Sequence, residues 1–270
     1  MKIGKYEFQV PGKTYIMGIL NVTPDSFSDG GKFNETDRAL SHAEEMIAQG
    51  ASIIDVGGES TRPGHTKITA EEEIRRVIPV IREIRSRFDL PISLDTYHSE
   101  TARAGIEEGV DLINDIWGLK ADPAMAGVIA RYGVACCLMH NRGQAVYADF
   151  MNDVAADLSE CIRLAEKAGI AEDKIILDPG IGFGKTYEQN LELMNGLEEL
   201  HMFGYPILLG TSRKSMIGNA LDLPVGERLE GTIATSVIGV MKGCSFLRVH
   251  DVKENLRAVR MTEAILHAGK

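Results

Sequence analysis

Short apolar runs alternate with segments of helical spacing along the whole chain. Each run is bounded by turn or polar residues, which is typical of the buried strands of a parallel sheet. The runs cover residues 15–20, 52–56, 92–94, 112–113, 134–138, 175–177, 206–209 and 246–249. Between them, apolar residues recur at helical spacing in 37–49, 70–87, 100–108, 123–131, 153–168, 188–200, 226–241 and 253–268. The pattern therefore predicts strands and helices in regular succession.

This succession indicates a parallel sheet covered by helices. About eight strand–helix units fit into about 250 residues, which favours a closed (β/α)8 TIM barrel over an open doubly wound sheet. Residues 3–10 alternate apolar and polar and end at a turn, 11–13, so we predict a short amino-terminal β-hairpin at one mouth of the barrel. No linker, repeat or low-complexity tract divides the sequence, which predicts a single domain over residues 1–270.

Polar side chains follow every predicted strand at its carboxyl end. They are Asn21; Asp55, Glu59, Thr61 and Arg62; Asp95; Asn114 and Asp115; His140 and Asn141; Asp178; Ser212, Arg213 and Lys214; and Arg248, His250 and Asp251. In a barrel these ends meet on one face, where active sites are built. Any one of them could instead start a loop or cap a helix, and for Asp251, just before the last helix, an N-cap is the better interpretation.

The chemistry of these side chains divides the predicted face into two parts. Asp95, Asn114 and Asp178 offer acceptors, which suit the N–H groups along the edge of an amino-pyrimidinone ring. Lys214, Arg248 and His250 offer the opposite polarity, which suits a carbonyl oxygen and phosphate. We therefore expect a flat heterocycle on one side and an anion on the other.

Composition narrows the functional class. The chain has 29 Lys and Arg against 39 Asp and Glu, a net charge of −10, which argues against general nucleic-acid binding. Its 4 cysteines form no Cys-x-x-Cys pair, so disulfide and zinc frameworks are not expected and the thiols should be reduced. The first residues lack a signal-peptide pattern and no apolar run approaches membrane-spanning length, so we expect a cytoplasmic protein without a membrane partner.

Several familiar motifs fail on inspection. Residues 179–186 nearly spell a nucleotide-binding P-loop, but Pro179 takes the place of the first glycine and has no N–H for a phosphate. His140 has no second histidine at metal-ligand spacing, which disfavours zinc. No serine lies in a nucleophile-elbow pattern with a credible histidine base.

Eight separate segments carry a resemblance to a known family. The first reads Asn-Val-Thr-Pro-Asp-Ser-Phe-Ser-Asp-Gly-Gly, and the segments cover residues 21–31, 55–64, 93–96, 113–115, 138–140, 177–185, 210–215 and 248–250. Together they resemble the dihydropteroate synthase family of pterin-binding enzymes across essentially the whole chain. That family comprises transferases of folate biosynthesis that are targets of sulfonamides.

The resemblance implies a reaction and the residues that perform it. The family joins 6-hydroxymethyl-7,8-dihydropterin diphosphate to p-aminobenzoate and releases 7,8-dihydropteroate and pyrophosphate. By resemblance, the pterin would be bound by Asp95, Asn114, Asp178, Lys214, Met139, Phe183 and Arg248, and the diphosphate by Asn21, Arg248 and His250. The p-aminobenzoate site would consist of Thr61, Arg62, Pro63, Lys214, Ser215 and Phe27. Asp95, Asp178, Lys214, Arg62 and Asp29 would be the catalytic residues.

The resemblance also implies a cofactor and partners. Asn21 would bind Mg2+, sulfonamides would compete with p-aminobenzoate, and the protein would be a homodimer. Pyrophosphate would depart without a covalent enzyme intermediate, since Mg2+ and cations neutralise its developing charge. The loops after the first two strands would close over the centre and exclude water.

Two other functions remain open at this point. A pterin-dependent methyltransferase on a similar barrel would share the acceptors for the pterin edge, but it needs neither the 21–31 loop nor the Ser-Arg-Lys-Ser segment at 212–215. A non-catalytic pterin- or folate-binding protein would retain the pocket alone, and the intact Asn21, Arg62, Lys214 and His250 argue against it. Assaying dihydropteroate formation distinguishes these alternatives.

Overall fold

The computed structural model describes residues 1–23, 32–59 and 67–269 of the 270-residue chain. The strands are β1 (Lys2–Ile3), β2 (Tyr6–Glu7), β3 (Tyr15–Asn21), β4 (Ile53–Gly57), β5 (Ile92–Asp95), β6 (Leu112–Asp115), β7 (Ala135–Met139), β8 (Ile175–Asp178), β9 (Leu208–Leu209) and β10 (Phe246–Val249). The α-helices are α1 (Lys32–Ala48), α2 (Ala70–Arg87), α3 (Ser99–Glu107), α4 (Met125–Tyr132), α5 (Phe150–Ala168), α6 (Tyr187–Asn195), α7 (Ser215–Leu221), α8 (Leu229–Met241) and α9 (Val252–Leu266). Short 3-10 helices cover Glu172–Lys174, Leu197–Phe203 and Val225–Glu227.

The strands from β3 to β10 form one eight-stranded sheet that closes on itself. Each strand from β3 to β8 pairs in parallel with the next, and β10 lies between β3 and β9. A parallel bridge from Leu177 of β8 to Ile207 joins the two ends of the sheet. There the Leu177 N–H donates to the Pro206 carbonyl at 2.9 Å. The TIM barrel expected from the sequence is confirmed, as is the antiparallel β1–β2 hairpin.

Strand side chains alternate between the helices and the barrel interior, and the interior is layered. The inward residues nearest the amino ends are apolar and form a buried cluster that includes Met17, Ile53, Leu112, Ala135, Ile176, Leu208 and Phe246. Two residues further along the same strands, the inward positions hold polar groups such as Asp55, Asn114, Asp178 and Arg248. The period of two therefore places a dry core below and a polar layer above it.

The amino-terminal hairpin covers the apolar mouth of the barrel. Ile3 and Phe8 belong to the same cluster as the inward residues of the strands. The Phe8 ring meets the rings of Tyr15 and Phe246 at centroid distances of 4.8 and 5.6 Å. The hairpin thus seals the end opposite the polar layer.

The helices follow the sequence pattern with two differences. α2 has the expected bounds because Thr69 caps it, accepting a hydrogen bond from the Glu72 N–H at 3.2 Å. α7 is absent from the sequence-based expectation because it is only 7 residues long, too short to show helical periodicity. The segment predicted as one helix over 188–200 divides into α6 and a 3-10 helix at Gly196. Among the helices in the described part of the chain, none combines the length and apolarity needed to cross a bilayer.

The Phe8→Ala substitution tests whether the hairpin is a structural seal separate from the polar face. We expect it to lower the free energy of unfolding by about 3 kcal/mol, because it leaves a cavity among buried rings. Ligand affinity should not change, since Phe8 lies at the opposite mouth. Chemical denaturation measures the first effect and calorimetric titration the second. Equal stability of variant and parent would contradict the sealing function.

Candidate active site

The polar layer collects the side chains that the sequence predicted at the strand ends. They lie at the carboxyl ends of the strands or in the loops that follow them, so the barrel brings together residues that are far apart in the chain. Those that the structure places on this face are Asn21, Asp95, Asn114, Met139, Phe183, Asp178, Lys214, Arg248 and His250. Contacts around Arg248 connect Asp95 and Asn114, and contacts around Lys214 connect Phe183.

An arginine between two carboxylates is the centre of this layer. The Nε–H of Arg248 donates to Asp55 Oδ2 at 2.6 Å, and its Nη2 donates to Asp95 Oδ2 at 2.7 Å. Asp55, fully buried, also accepts from Ser93 Oγ at 2.5 Å and from Asn114 Nδ2 at 3.4 Å. The Asn114 amide therefore directs its N–H groups at Asp55, and its carbonyl oxygen is the acceptor that it can present to a ligand.

Burial and charge oppose each other within this ion pair. Burial lowers the pKa of Arg248, but Asp55 and Asp95 outweigh that effect and raise it, so the guanidinium stays charged. Burial raises the pKa of Asp95 to about 7, although Arg248 acts in the opposite direction and Asp55 adds to the increase. Asp95 is therefore a carboxyl group whose ionisation near neutral pH depends on the cation beside it.

A second cation lies across the barrel mouth. Lys214 donates from Nζ to the Ile181 carbonyl, and the same Nζ lies 4.7 Å from the centroid of the Phe183 ring. Asp178 accepts from the Gly180 N–H at 2.7 Å. This lysine, aromatic ring and carboxylate come from two segments of the chain, 177–185 and 210–215, and form the other half of the polar layer.

The charges of this half depend on one another. Burial lowers the pKa of Lys214 to about 8, and Asp178 counteracts that effect. Burial raises the pKa of Asp178, whereas Lys214 and Arg248 lower it. A carboxylate next to a lysine of reduced pKa can accept a ligand N–H while the lysine meets a ligand oxygen.

Gly57 lies beside two side-chain oxygen atoms. A Cβ at Gly57 would lie 3.7 Å from Asn21 Oδ1 and 3.8 Å from Asp95 Oδ2. Carboxylate and amide oxygens are the ligands that Mg2+ prefers, usually with water and substrate phosphate completing its shell. Within the described part of the chain, no group of three His, Cys, Asp or Glu could hold a metal ion by itself. Asn21 thus suits a magnesium ion that also takes ligands from a bound substrate.

His250 is held by a neighbouring loop. Its backbone N–H and its Nδ1 lie 3.2 and 3.0 Å from Ser212 Oγ. The next residue, Asp251, occupies the N-cap position of α9 as predicted, but its side chain makes no capping hydrogen bond. Its carboxylate instead pairs with Arg213, whose Nε donates to Oδ2 at 3.0 Å. Arg213 competes successfully because a bidentate ion pair is stronger than a single backbone bond.

Of the remaining predicted site residues, only Ser215 lies in the described part of the chain. Ser215 is the first residue of α7 and is exposed beside Lys214. Five predicted site residues lie outside the described residues: Phe27, Asp29, Thr61, Arg62 and Pro63. The p-aminobenzoate contacts that the resemblance implies for them stay predictions.

Asp55 is the site residue whose function the sequence did not reveal. Its place at a strand end was visible, but a carboxylate can serve there as a ligand group or as a counterion. Only the contact with Arg248, 193 residues further along the chain, identifies it as a counterion.

Comparison with known proteins identifies relatives across the whole barrel. A family model described as "Pterin binding enzyme" matches residues 17–250. The dihydropteroate synthase of Clostridium beijerinckii is 62% identical over 267 residues, which cover 98% of this chain and 99% of that protein.

Solved structures agree with this result. A dihydropteroate synthase from Clostridium difficile, determined in the presence of pteroic acid, is 53% identical with a TM-score of 0.94, covering 96% of this chain and 99% of that one. The Yersinia pestis dihydropteroate synthase with a sulfonamide drug is 44% identical with a TM-score of 0.89, covering 96% of each chain.

The Asp55→Ala substitution measures how much the buried ion pair depends on its fully buried member. We expect the free energy of unfolding to fall by about 3 kcal/mol, because Arg248 keeps its charge and loses one of two partners. The control is Ser93→Ala, which removes one hydrogen bond to the same carboxylate and should cost about 1 kcal/mol. Denaturant unfolding compares the two, and an Asp55→Ala loss no larger than that of Ser93→Ala would contradict the counterion function.

Proposed function

Because this chain belongs to the pterin-binding enzyme family, among its dihydropteroate synthases, we propose that it joins 6-hydroxymethyl-7,8-dihydropterin diphosphate to p-aminobenzoate. The products are 7,8-dihydropteroate and pyrophosphate, and the chain is accordingly a transferase. The observation that carries the proposal is the polar layer, in which acceptors for a ring edge stand beside cations for an anion.

The pterin edge would bind to Asp95, Asn114 and Asp178. Its ring N–H and amino groups need acceptors inside a poorly hydrated mouth, and two carboxylates and an amide carbonyl supply them. Lys214 would donate to the pterin carbonyl oxygen. Met139, which is buried at the end of β7, would pack around the ring together with Phe183 and the Arg248 side chain.

The diphosphate would bind to Asn21, Arg248 and His250. The match between the Asn21 amide oxygen and magnesium chemistry supports Asn21 as the Mg2+ ligand. When bound, the ion would neutralise negative charge on the diphosphate oxygens. Arg248 already pairs with two carboxylates, and a bound diphosphate would be a third anionic partner for its guanidinium.

The p-aminobenzoate would be framed by the predicted loop residues Thr61, Arg62, Pro63 and Phe27 together with Lys214 and Ser215. The exposed position of Ser215 next to Lys214 supports this placement, because a carboxylate ligand would meet the lysine and the first N–H groups of α7. Asp29 and Arg62 would act from their loops when the second substrate is present.

The reaction would proceed by displacement of pyrophosphate. The bond between the pterin methylene carbon and the diphosphate oxygen breaks, and its electron pair leaves with pyrophosphate. The electron-rich ring delocalises the positive charge, which the carboxylates of Asp95 and Asp178 stabilise. The arylamine nitrogen then forms the new bond to the methylene carbon and loses a proton. No covalent enzyme intermediate is required.

Two further expectations have support of different kinds. A homodimer is supported by exposed apolar side chains on the surface around α7, α8 and α9, which a second copy would cover: Leu221, Val225, Ile238, Met241, Met261 and Ile265. A cytoplasmic location is supported by four buried cysteines that are all free.

The decisive experiment incubates the purified chain with both substrates and Mg2+ and follows dihydropteroate and pyrophosphate. We expect equal amounts of the two products, loss of turnover when the ion is chelated, and inhibition by a sulfonamide that added p-aminobenzoate relieves. Pterin binding without product would reject the synthase in favour of a binding protein. Transfer of a methyl group from a pterin would instead identify a methyltransferase.

The Asp178→Ala substitution tests the pterin edge. We expect pterin affinity to fall by at least about a hundredfold, because ring N–H donors would be buried without an acceptor. The matched control is Asp173→Ala, an exposed carboxylate just before the same strand. Isothermal titration with 6-hydroxymethylpterin measures both, and near-parental affinity of Asp178→Ala would reject its assigned contact.

A further inference from the structure

The segment that nearly matches a P-loop packs closely against the residues that follow β7. Residues 180–184 follow β8 and include three glycines in the left-handed region, with φ of +70° at Gly180, +85° at Gly182 and +55° at Gly184. A Cβ at Gly180 would lie 1.9 Å from the His140 carbonyl oxygen, and one at Gly184 would lie 2.3 Å from that of Arg142. The loop backbone therefore rests directly on the segment that follows β7, where only glycine fits.

Lys185, in the position of the P-loop lysine, turns its ammonium toward its own loop. Its Nζ lies 2.8 Å from the Gly180 carbonyl oxygen, 3.0 Å from that of Phe183 and 2.7 Å from His140 Nδ1. Three acceptors match the three protons of an ammonium group. The lysine is thus engaged by the protein and has no proton left for a phosphate.

These contacts determine the tautomer of His140. When Lys185 carries its charge it can only donate, so the Nδ1 of His140 then accepts and carries a lone pair. The proton then resides on Nε2, which lies 3.0 Å from Asp157 Oδ2. His140 is fully buried, and burial and Lys185 together lower its pKa to about 3. A neutral histidine therefore connects Lys185 to a carboxylate on α5.

Other side chains hold the rest of the loop. The Gly182 N–H donates to Asn190 Oδ1 at 2.6 Å, and Tyr147 donates its hydroxyl proton to the Gly184 carbonyl at 2.7 Å. The carbonyl of Ile181 accepts from Lys214. The loop thus connects Lys185 on one side with Lys214 and the Phe183 ring on the other.

We propose that Lys185 is a positioning residue for the pterin site: bound to His140, it fixes residues 180–184 so that Phe183 and Lys214 meet the pterin ring. The inference rests on the proposed function and adds a residue that touches no substrate. Without Lys185, the Phe183 carbonyl and His140 Nδ1 lose their donor, and the loop that carries the ring contact loosens.

Charge provides a second route for the same residue. Lys185 lowers the pKa of Asp178, in addition to the larger effects of Lys214, the Gly180 N–H and Arg248. The charged or titratable groups that face Lys185 are Asp178, Lys214, Asp157, Arg142 and His140. Removing its ammonium should raise the pKa of Asp178. The ionised Asp178 carboxylate accepts the pterin N–H groups, so pterin affinity should fall when acid protonates it. Without the Lys185 ammonium, this fall should occur at a higher pH.

The main test compares Lys185→Met with Lys185→Arg and with the control Lys174→Met. Lys174 lies before the same strand and donates to the Lys2 carbonyl at the opposite mouth. We expect Lys185→Met to bind 6-hydroxymethylpterin roughly tenfold or more weakly, since buried acceptors lose their donor. In turnover, KM for the pterin diphosphate should rise more than KM for p-aminobenzoate, because the loop holds both Phe183 and Lys214 at the pterin but only Lys214 at the second substrate. Lys185→Arg should retain the parental pH profile, because it keeps the charge.

Nitrogen NMR of the imidazoles supplies a readout that does not depend on turnover. Of the 7 histidines, His140 should be neutral with its proton on Nε2 between pH 5 and 6, where Lys185 is charged. In Lys185→Met its pKa should rise, because the neighbouring cation is gone and Asp157 remains. His140→Gln assigns the signal and should itself weaken pterin binding.

The outcomes separate the inference from the proposed function. Parental pterin affinity and an unchanged pH profile in a folded Lys185→Met variant would overturn the inference, as would a His140 proton on Nδ1. If the parent protein itself fails to bind 6-hydroxymethylpterin, the proposed function fails, whatever the NMR result. An equal increase in KM for both substrates would indicate general destabilisation and would also overturn the positioning function.

Discussion

Burying a carboxylate inside a barrel costs several kcal/mol unless a cation or N–H groups compensate it. Arg248 compensates two carboxylates at once, Asp55 beneath and Asp95 at the rim. The rest of the polar layer follows from this pair. Asp55 accepts a hydrogen bond from the side-chain amide of Asn114 and so orients it. Asp95 lies close enough to the Arg248 guanidinium to ionise near neutral pH. Without that guanidinium, the acceptors for a ring edge would be protonated or would be hydrated instead.

In the other half of the polar layer, lysine ammonium groups compensate the buried carboxylate of Asp178. Lys214 and Lys185 lie on either side of the loop that follows β8, and burial lowers the pKa of both, to about 8 and about 7. Asp178 favours the charged form of each lysine. The chain has a net charge of −10, but this half of the layer holds buried positive charge. The low local dielectric makes each of these charges effective.

The sequence was sufficient for whatever depends on period and local chemistry. Alternating strands and helices predicted the barrel, and the helical spacing over 70–87 gave the bounds of α2 correctly. Strand ends predicted the polar face because parallel strands all present their carboxyl ends to one side. It was insufficient where two distant side chains compete for one partner. The carboxylate of Asp251 belongs to Arg213, and that of Asp55 belongs to Arg248, and neither contact leaves a pattern in the sequence. Likewise, Pro179 argued against a P-loop, but the attachment of Lys185 to His140 depends on the fold.

The closure of the barrel is uneven, since β9 has only two residues and a single bridge joins the neighbouring strands at that seam. Asp178 lies at the end of one of these strands, and Lys214 follows the other. A ligand held by both would connect the two sides of the seam much as a further rung of the ladder does. Substrate binding and cohesion of the barrel are then thermodynamically linked, because a ligand that binds only the closed form stabilises it by mass action. A heterocycle bound by both residues would therefore stabilise the seam of the barrel.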